Sequence, residues 1–348
     1  MGSTRRNVLA GLLAVVLGAC LPTVQQRQSP LTGFQGPRFD VAAHRFVSCD
    51  GAPLGVSAWL PPNGQEPSAV IIGLHGMNDY GEATFYLMGP WFAERGIAVF
   101  AYDARGFGRS PDRGVWGGQA LMTEDVRTAV NVARGMYPNA TLAIVGDSMG
   151  SAEAIATFGQ PNAPHIDRLV LTAPAVWGWS TMPTLYSLTL WMSAHTFPWQ
   201  PVTPPRGVVA HITPSDNVAM LQHIGRDRNM LFSTRIDALY GLVSLMETAS
   251  RHTANLTGDV AFLYGAHDQI IPRASAARAA SHLPSSARTA VYPDGYHMLI
   301  RDLDREVVYN DILSFIHDPN APFPSGAQPL RPEPAHNGAE THIAQANR

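Results

Sequence analysis

Lysine is absent from this 348-residue chain: all 24 basic residues are arginine. Base composition of the gene accounts for that, and no function follows from it. Cysteine is nearly absent, at two residues, Cys20 and Cys49. If Cys20 is modified as argued below, Cys49 stands alone and no internal disulfide can form, even in an oxidising compartment. Cys49 falls in a predicted hairpin turn, where a buried, inert thiol is its expected role. The formal net charge is only −3, which argues against a nucleic-acid partner. The 13 histidines are scattered without zinc-ligand spacing, so no metal is expected. No internal repeat is visible. Charge is missing altogether from one long stretch, with no Asp, Glu, Lys or Arg between Arg168 and Arg206. What the chain does have is apolar material: 45% of its residues are hydrophobic, enough for a sizeable core in one large domain or two modest ones.

The N-terminus reads as an export signal. Arg5 and Arg6 precede an apolar run from Val8 to Ala19, too short to span a bilayer comfortably. Leu17-Gly18-Ala19-Cys20 resembles a bacterial lipobox, which implies that Cys20 becomes the lipidated first residue of the mature protein. Residues 3–9 also look like a twin-arginine motif. Residues 1–20 are therefore expected to be a lipoprotein-type signal peptide. Residues 21–40, polar with Pro and Gln, are expected to tether a domain over residues 41–317. From Asp318 the chain is rich in Pro and polar residues, and 318–348 is expected to be disordered. The expected location is the bacterial cell envelope, lipid-anchored and facing the periplasm or the exterior.

Inside the domain, residues 141–151 organise the rest. An apolar, β-branched run ends in Gly146-Asp147-Ser148-Met149-Gly150, and an Ala-rich run follows. That is strand, tight turn and helix with a serine at the apex, the Gly-x-Ser-x-Gly elbow of α/β-hydrolases. The glycines are needed because a Cβ at either position would crowd a turn already strained at its apex. Ser148 Oγ is thereby held clear of the sheet, at the positive end of the following helix. Before it, residues 69–74 form a continuous apolar run, as a parallel strand buried on both faces requires. A helix over 83–95 follows, then a strand over 98–102, a Gly-rich loop over 103–110, and a helix over 122–136 with Thr123 as N-cap. Further strands are read at 168–172, 260–264 and 288–292, and helices at 236–248, 273–282 and 304–317. The alternation predicts a mostly parallel central sheet with helices on both faces, and sites at the carboxyl ends of its strands.

The charge-free stretch breaks that alternation. It holds Trp177, Trp179 and Trp191 among many large apolar residues. Residues 174–234 are read as a helical cap over the strand ends, with those three tryptophans lining a pocket for an apolar substrate.

A serine at such an elbow needs a base and an orienting acid, in the chain order Ser, acid, His. Asp268 and His297 follow Ser148 in that order, each just beyond one of the last two strands. His297 would take the serine proton and return it to the leaving alcohol; Asp268 would hold the ring's tautomer and stabilise the imidazolium. The oxyanion donors would be the backbone N–H groups of Met149 and Met77, each worth roughly 3 kcal/mol in the transition state. No cofactor is needed for such chemistry.

Taken together, His75-Gly76-Met77, the 103–110 loop, the elbow, residues 265–272 and Gly295-Tyr296-His297 resemble the monoacylglycerol lipase and lysophospholipase group of α/β-hydrolases, which includes serine aminopeptidase-like hydrolases. The resemblance covers about residues 41–317. It implies cleavage of a carboxylic ester, with an acyl chain held under a mobile cap and a small acyl ester or monoacyl lipid as substrate. Two positions depart from the family's usual pattern: Asp147 stands where His precedes the serine, and Ser151 where Gly follows the motif. An acyltransferase, a peptidase or a cofactor-free haloperoxidase would use the same triad, and a lipoprotein scaffold with little turnover is the competing class.

Overall fold

The computed structural model describes residues 22–30, 32–203 and 212–330. Nine strands form one sheet in the order β1-β2-β3-β5-β4-β6-β7-β10-β11. They are β1 (Arg38–Asp40), β2 (Arg45–Val47), β3 (Pro53–Trp59), β4 (Ala69–Leu74), β5 (Ile97–Tyr102), β6 (Thr141–Asp147), β7 (Arg168–Thr172), β10 (Asp259–Gly265) and β11 (Arg288–Tyr292). The two remaining strands, β8 (Pro201–Val202) and β9 (Thr234–Arg235), pair with each other outside the sheet. From β5 to β11 every pairing is parallel, and β1, β2 and β3 extend the sheet antiparallel. The expected mostly parallel α/β architecture is therefore the observed one.

The period of two along each strand builds two cores. In β4, Val70, Ile72 and Leu74 face one side, with Val126, Ile155 and Leu245 of the helices there. Ala69 and Ile71 face the other, with Phe92, Ile312 and Phe315. Both faces are dry, which is why these strands read as unbroken apolar runs rather than alternations. Each fully buried large side chain contributes about 1.5–3 kcal/mol relative to exposure.

The described helices are α1 (Gly81–Phe85), α2 (Met88–Ala93), α3 (Gln119–Met136), α4 (Met149–Phe158), α5 (Thr184–Thr196), α6 (Val218–Ile224), α7 (Ile236–His252), α8 (Arg273–Ser281) and α9 (Arg305–His317). The single helix expected over 83–95 is broken into α1 and α2. Pro90 supplies no N–H, and its ring would strike the carbonyl of residue 86 in a continuous helix. The helix expected from Met122 begins three residues earlier, with Gly118 at φ +78° as its cap. Thr123 instead lies inside the first turns and donates to the Ala120 carbonyl.

Both ends of the domain extend further than the sequence implies. Residues in the expected tether lie along the domain: Gln25 N donates to the Trp116 carbonyl at 2.9 Å, and Arg27 pairs with Glu124. Residues 318–330, expected to be disordered, are packed. Phe323 joins the core beside Phe315, Val291 N donates to the Gln328 carbonyl at 2.8 Å, and Leu330 is buried. The segment covers β11, the outer strand, whose free N–H and C=O groups would otherwise face water. Cys20 and the export signal lie outside the described residues. Cys49 is a half-buried free thiol that desolvation makes harder to ionise, which suits the inert role.

Candidate active site

Ser148 sits between β6 and α4 with φ 52° and ψ −110°, a conformation that costs an L-residue on the order of 1–3 kcal/mol. Three backbone bonds hold it there. Ser148 N donates to the Thr172 carbonyl at 2.9 Å, while Ala152 N and Ala175 N both donate to the Ser148 carbonyl at 3.2 Å. The glycines have the reasons inferred for them. A Cβ on Gly146 would lie 2.6 Å from Ser151 N, and one on Gly150 would lie 2.1 Å from the Leu74 carbonyl oxygen.

Asp268 and His297 come from the loops after β10 and β11. The Ser148 hydroxyl donates to His297 Nε2 at 2.9 Å, and His297 Nδ1–H donates to Asp268 Oδ2 at 2.8 Å. The second carboxylate oxygen, Oδ1, accepts from Ile270 N and Ile271 N at 2.8 and 2.9 Å. A carboxylate only accepts, so this arrangement fixes the tautomer with the proton on Nδ1 and leaves Nε2 free to take one. Burial works to lower the His297 pKa, but the hydrogen bond and charge of Asp268, with Asp147 behind them, outweigh it and raise the ring above its ordinary value. His75, by contrast, is neutral scaffolding. Its Nδ1–H donates to the Gly76 carbonyl, its Nε2 accepts from Ala104 N, and burial lowers its pKa.

A cavity of about 400 Å³ opens over Ser148 and His297. Its wall is apolar, including Trp177, Met182, Leu190, Leu242 and Met246 from the insertion and α7. Met77 also lines it, and Met149 opens α4, where the first N–H groups have no intrahelical partner. Of the three tryptophans expected in the pocket, only Trp177 is in its wall. Trp179 packs below, its Nε1 donating to Ser244 Oγ at 3.1 Å. Trp191 is half-exposed and stacks on His195 with ring centroids 4.4 Å apart. α5 carries no charge and buries only Ala194, so its sequence gives no polar face from which to tell inside from outside.

The polar floor holds Asp79, Asp147 and Arg301, of which only Asp147 drew notice in the sequence. Asp79 lies at the end of the His75-Gly76-Met77 block, and Arg301 one helical turn past His297. Nothing in the sequence around Arg301 signals its burial under the cavity.

The serine aminopeptidase (S33) family matches residues 65–304. The chain belongs to it. A monoacylglycerol lipase from Mycolicibacterium smegmatis is 23% identical over 288 residues, 78% of this chain and 96% of that protein. A serine hydrolase-like protein from Dictyostelium discoideum is 31% identical over 121 residues, 34% of this chain and 32% of that one. Among solved structures, a soluble variant of a Saccharomyces cerevisiae monoglyceride lipase matches with TM-score 0.66 and 17% identity, over 86% of this chain and all of that one. A carboxyl esterase from Bacillus coagulans matches with TM-score 0.62 and 22% identity, over 78% and 96%. At those identities the structural likeness establishes the α/β-hydrolase fold.

Proposed function

We propose that this S33-family hydrolase cleaves the carboxylic ester of a monoacyl lipid through an acyl-enzyme on Ser148. The observation that carries the reading is the unbroken chain from hydroxyl to imidazole to carboxylate at the floor of an apolar cavity. His297 Nε2 takes the hydroxyl proton as Ser148 Oγ attacks the ester carbon. The developing oxyanion is met by the N–H groups of Met77 and Met149. The imidazolium, stabilised by Asp268, returns its proton to the leaving alcohol. Water, deprotonated by the same ring, then releases the acid.

The apolar wall supports an acyl chain there, and the monoacylglycerol lipase of M. smegmatis, aligned over most of both chains, supports a monoacyl substrate. The floor carries two carboxylates to one guanidinium, which favours a neutral polyol head over a phosphate. Fluorophosphonate labelling with a panel of acyl esters tests the reading. The wild type labels and turns over, Ser148→Ala does neither, and medium or long monoacylglycerols exceed short esters. Equal efficiency at all chain lengths sinks the lipid assignment, and labelling of Ser148→Ala sinks the nucleophile.

Lipid anchoring at Cys20 in the bacterial cell envelope belongs to the same proposal. Its support is a shared side of the molecule. Gln25 bonds Trp116, Trp116 packs on α7 at Gly241, and α5 rests on α7 with Leu185, Leu188 and Met192 exposed. The first described residues and the exposed apolar residues of α5 thus connect to the same helix, α7. A Cys20→Ala variant leaves the membrane fraction; if it stays, the anchor is refuted.

A further inference from the structure

Beneath the cavity lies a charge cluster that the hydrolytic scheme does not use. Arg301 is only 2% exposed. Its Nη1 donates to Asp79 Oδ2 at 2.7 Å and to the Ala83 carbonyl at 3.3 Å. Its Nη2 reaches Asp147 Oδ2 at 3.5 Å, and its Nε has no hydrogen-bond partner among the described residues. Asp147 is otherwise held by Thr172 Oγ1 at 2.9 Å.

These residues come from three separate segments. Asp79 closes the turn that carries Met77: its N donates to the Gly76 carbonyl at 3.3 Å, with Asn78 at φ +64°. Asp147 directly precedes Ser148. Arg301 ends the 3₁₀ turn Leu299–Arg301 that follows the base, and its N donates to the Met298 carbonyl at 2.7 Å. One guanidinium thus touches the oxyanion turn and the nucleophile's strand, while its backbone belongs to the loop of the base. Stability alone gives no reason for this choice. Burying such ions carries a desolvation penalty of several kcal/mol each, and apolar residues of similar volume often hold a core as well or better.

We propose that Arg301 is a positioning residue: braced between Asp79 and Asp147, it fixes the Met77 turn and the Ser148 elbow relative to His297, with Asp147 serving as its counter-ion. This rests on the reading of Ser148, His297 and Asp268 as the catalytic set. The planar fork is what permits the double brace, since a lysine ammonium is a point charge with no fixed second direction.

The brace also acts on the base electrostatically. The charged groups that face the imidazole are Asp268 from the loop after β10, Asp147 from β6, and Arg301 from the turn that follows the base. Asp147 favours the protonated ring and Arg301 opposes it. Losing Arg301 therefore shifts the ring's titration upward, and losing the Asp147 charge shifts it downward.

Arg301→Met, Arg301→Lys, Asp147→Asn and the double variant Arg301→Met/Asp147→Asn would be compared with the wild type in the pH dependence of kcat and kcat/KM on a monoacylglycerol. Displacing an oxyanion turn by 1 Å is enough for a loss of about 10²-fold, so Arg301→Met is expected to lose about that much kcat with little change in KM. Its acidic limb moves to higher pH. Arg301→Lys recovers part of kcat. Asp147→Asn moves the limb to lower pH, and the double variant returns the limb toward wild type without restoring kcat. Should Arg301→Met fail to fold, Asp147→Asn and Arg301→Lys still decide. Limbs and kcat unchanged in both overturn the inference, as does full kcat in Arg301→Met. An active wild type that labels at Ser148 but is indifferent to these changes overturns this inference alone. An inert, unlabelled wild type overturns the catalytic reading and this inference with it.

Discussion

Replacing Gly150 by alanine should separate the stability of this fold from its chemistry. The new Cβ would lie 2.1 Å from the Leu74 carbonyl oxygen, 2.4 Å from the Leu74 carbonyl carbon and 2.7 Å from its Cβ. Ordinary contact begins at 3.4 Å, so α4 and β4 must part by more than 1 Å. Nothing flexible can absorb this, because two of the three atoms struck are backbone and Leu74 pairs on both sides, with Tyr102 and Gly146. The cost in stability is that of an overpacked core, about 1–3 kcal/mol.

The cost in rate is larger in proportion. Leu74 begins the segment that carries Met77, and Gly150 follows Ser148 by two residues, so the separation falls between the proposed nucleophile and the proposed oxyanion donor. A 1 Å error there is worth about 10² in kcat. Gly135→Ala is the matched control. It lies in α3 with open space around the new Cβ and should gain about 0.5–1 kcal/mol with activity untouched. Thermal melts and ester hydrolysis under saturating substrate read the two quantities. A folded Gly150→Ala protein with wild-type kcat would refute the claim that backbone contact between β4 and α4 sets the site.

The pH profile follows from the triad geometry. With His297 raised by Asp268 despite burial, the acidic limb of kcat/KM should lie above pH 6.5, and Asp268→Asn should move it down while lowering kcat about 10⁴-fold; a limb below that value contradicts the assignment. Glu153, wholly buried on α4 and bonded by the Tyr102 hydroxyl, is pushed up to about 8 by burial and the nearby charge of Asp125. Folding then favours its protonated form, and stability falls as pH rises from the unfolded value of 4.5 toward 8. Glu153→Gln should be neutral at pH 4 and stabilising at pH 8 by on the order of 4 kcal/mol, read by denaturant titration at both values; equal effects at both refute it. Phe323→Ala should cost about 3 kcal/mol by the same method, whereas a disordered tail would register nothing.

What the sequence makes legible here is what repeats or what chemistry orders. β4, β5 and β6 are readable because a strand dry on both faces must be apolar throughout. Ser148, Asp268 and His297 are readable because parallel strands deliver their carboxyl ends to one rim, so chain order fixes spatial grouping. The illegible parts lack such a constraint. Phe323 and Leu330 are single apolar residues in a Pro-rich stretch, with no period to announce burial. Trp191 lies on a helix without Asp, Glu, Lys or Arg and without a distinct polar face, so nothing points it inward or outward. Arg301 resembles any solvated arginine until the turn after His297 folds it under the cavity.

These differences divide the site by kind of determinant. The backbone around the proposed triad is close-fitted: Ser148 at its strained φ, Gly146 and Gly150 against their neighbours, and Gly265, whose Cβ would lie 2.4 Å from the Tyr296 carbonyl oxygen. None of the three glycines tolerates a side chain, so this part of the site does not depend on the identity of the apolar residues around it. The cavity wall is the opposite case. Met182, Leu190, Leu242 and Met246 meet the cavity through flexible side chains, and a methionine or leucine there can be exchanged for another apolar residue of similar volume at less than about 1.5 kcal/mol. Substrate preference can therefore change along the wall while Ser148, His297 and Asp268 stay where the sheet puts them. Among the described residues, the only charged or titratable groups in the cavity lining are those of the floor, Asp79, Asp147 and Arg301, together with His297. Any discrimination by charge rather than by length must pass through them.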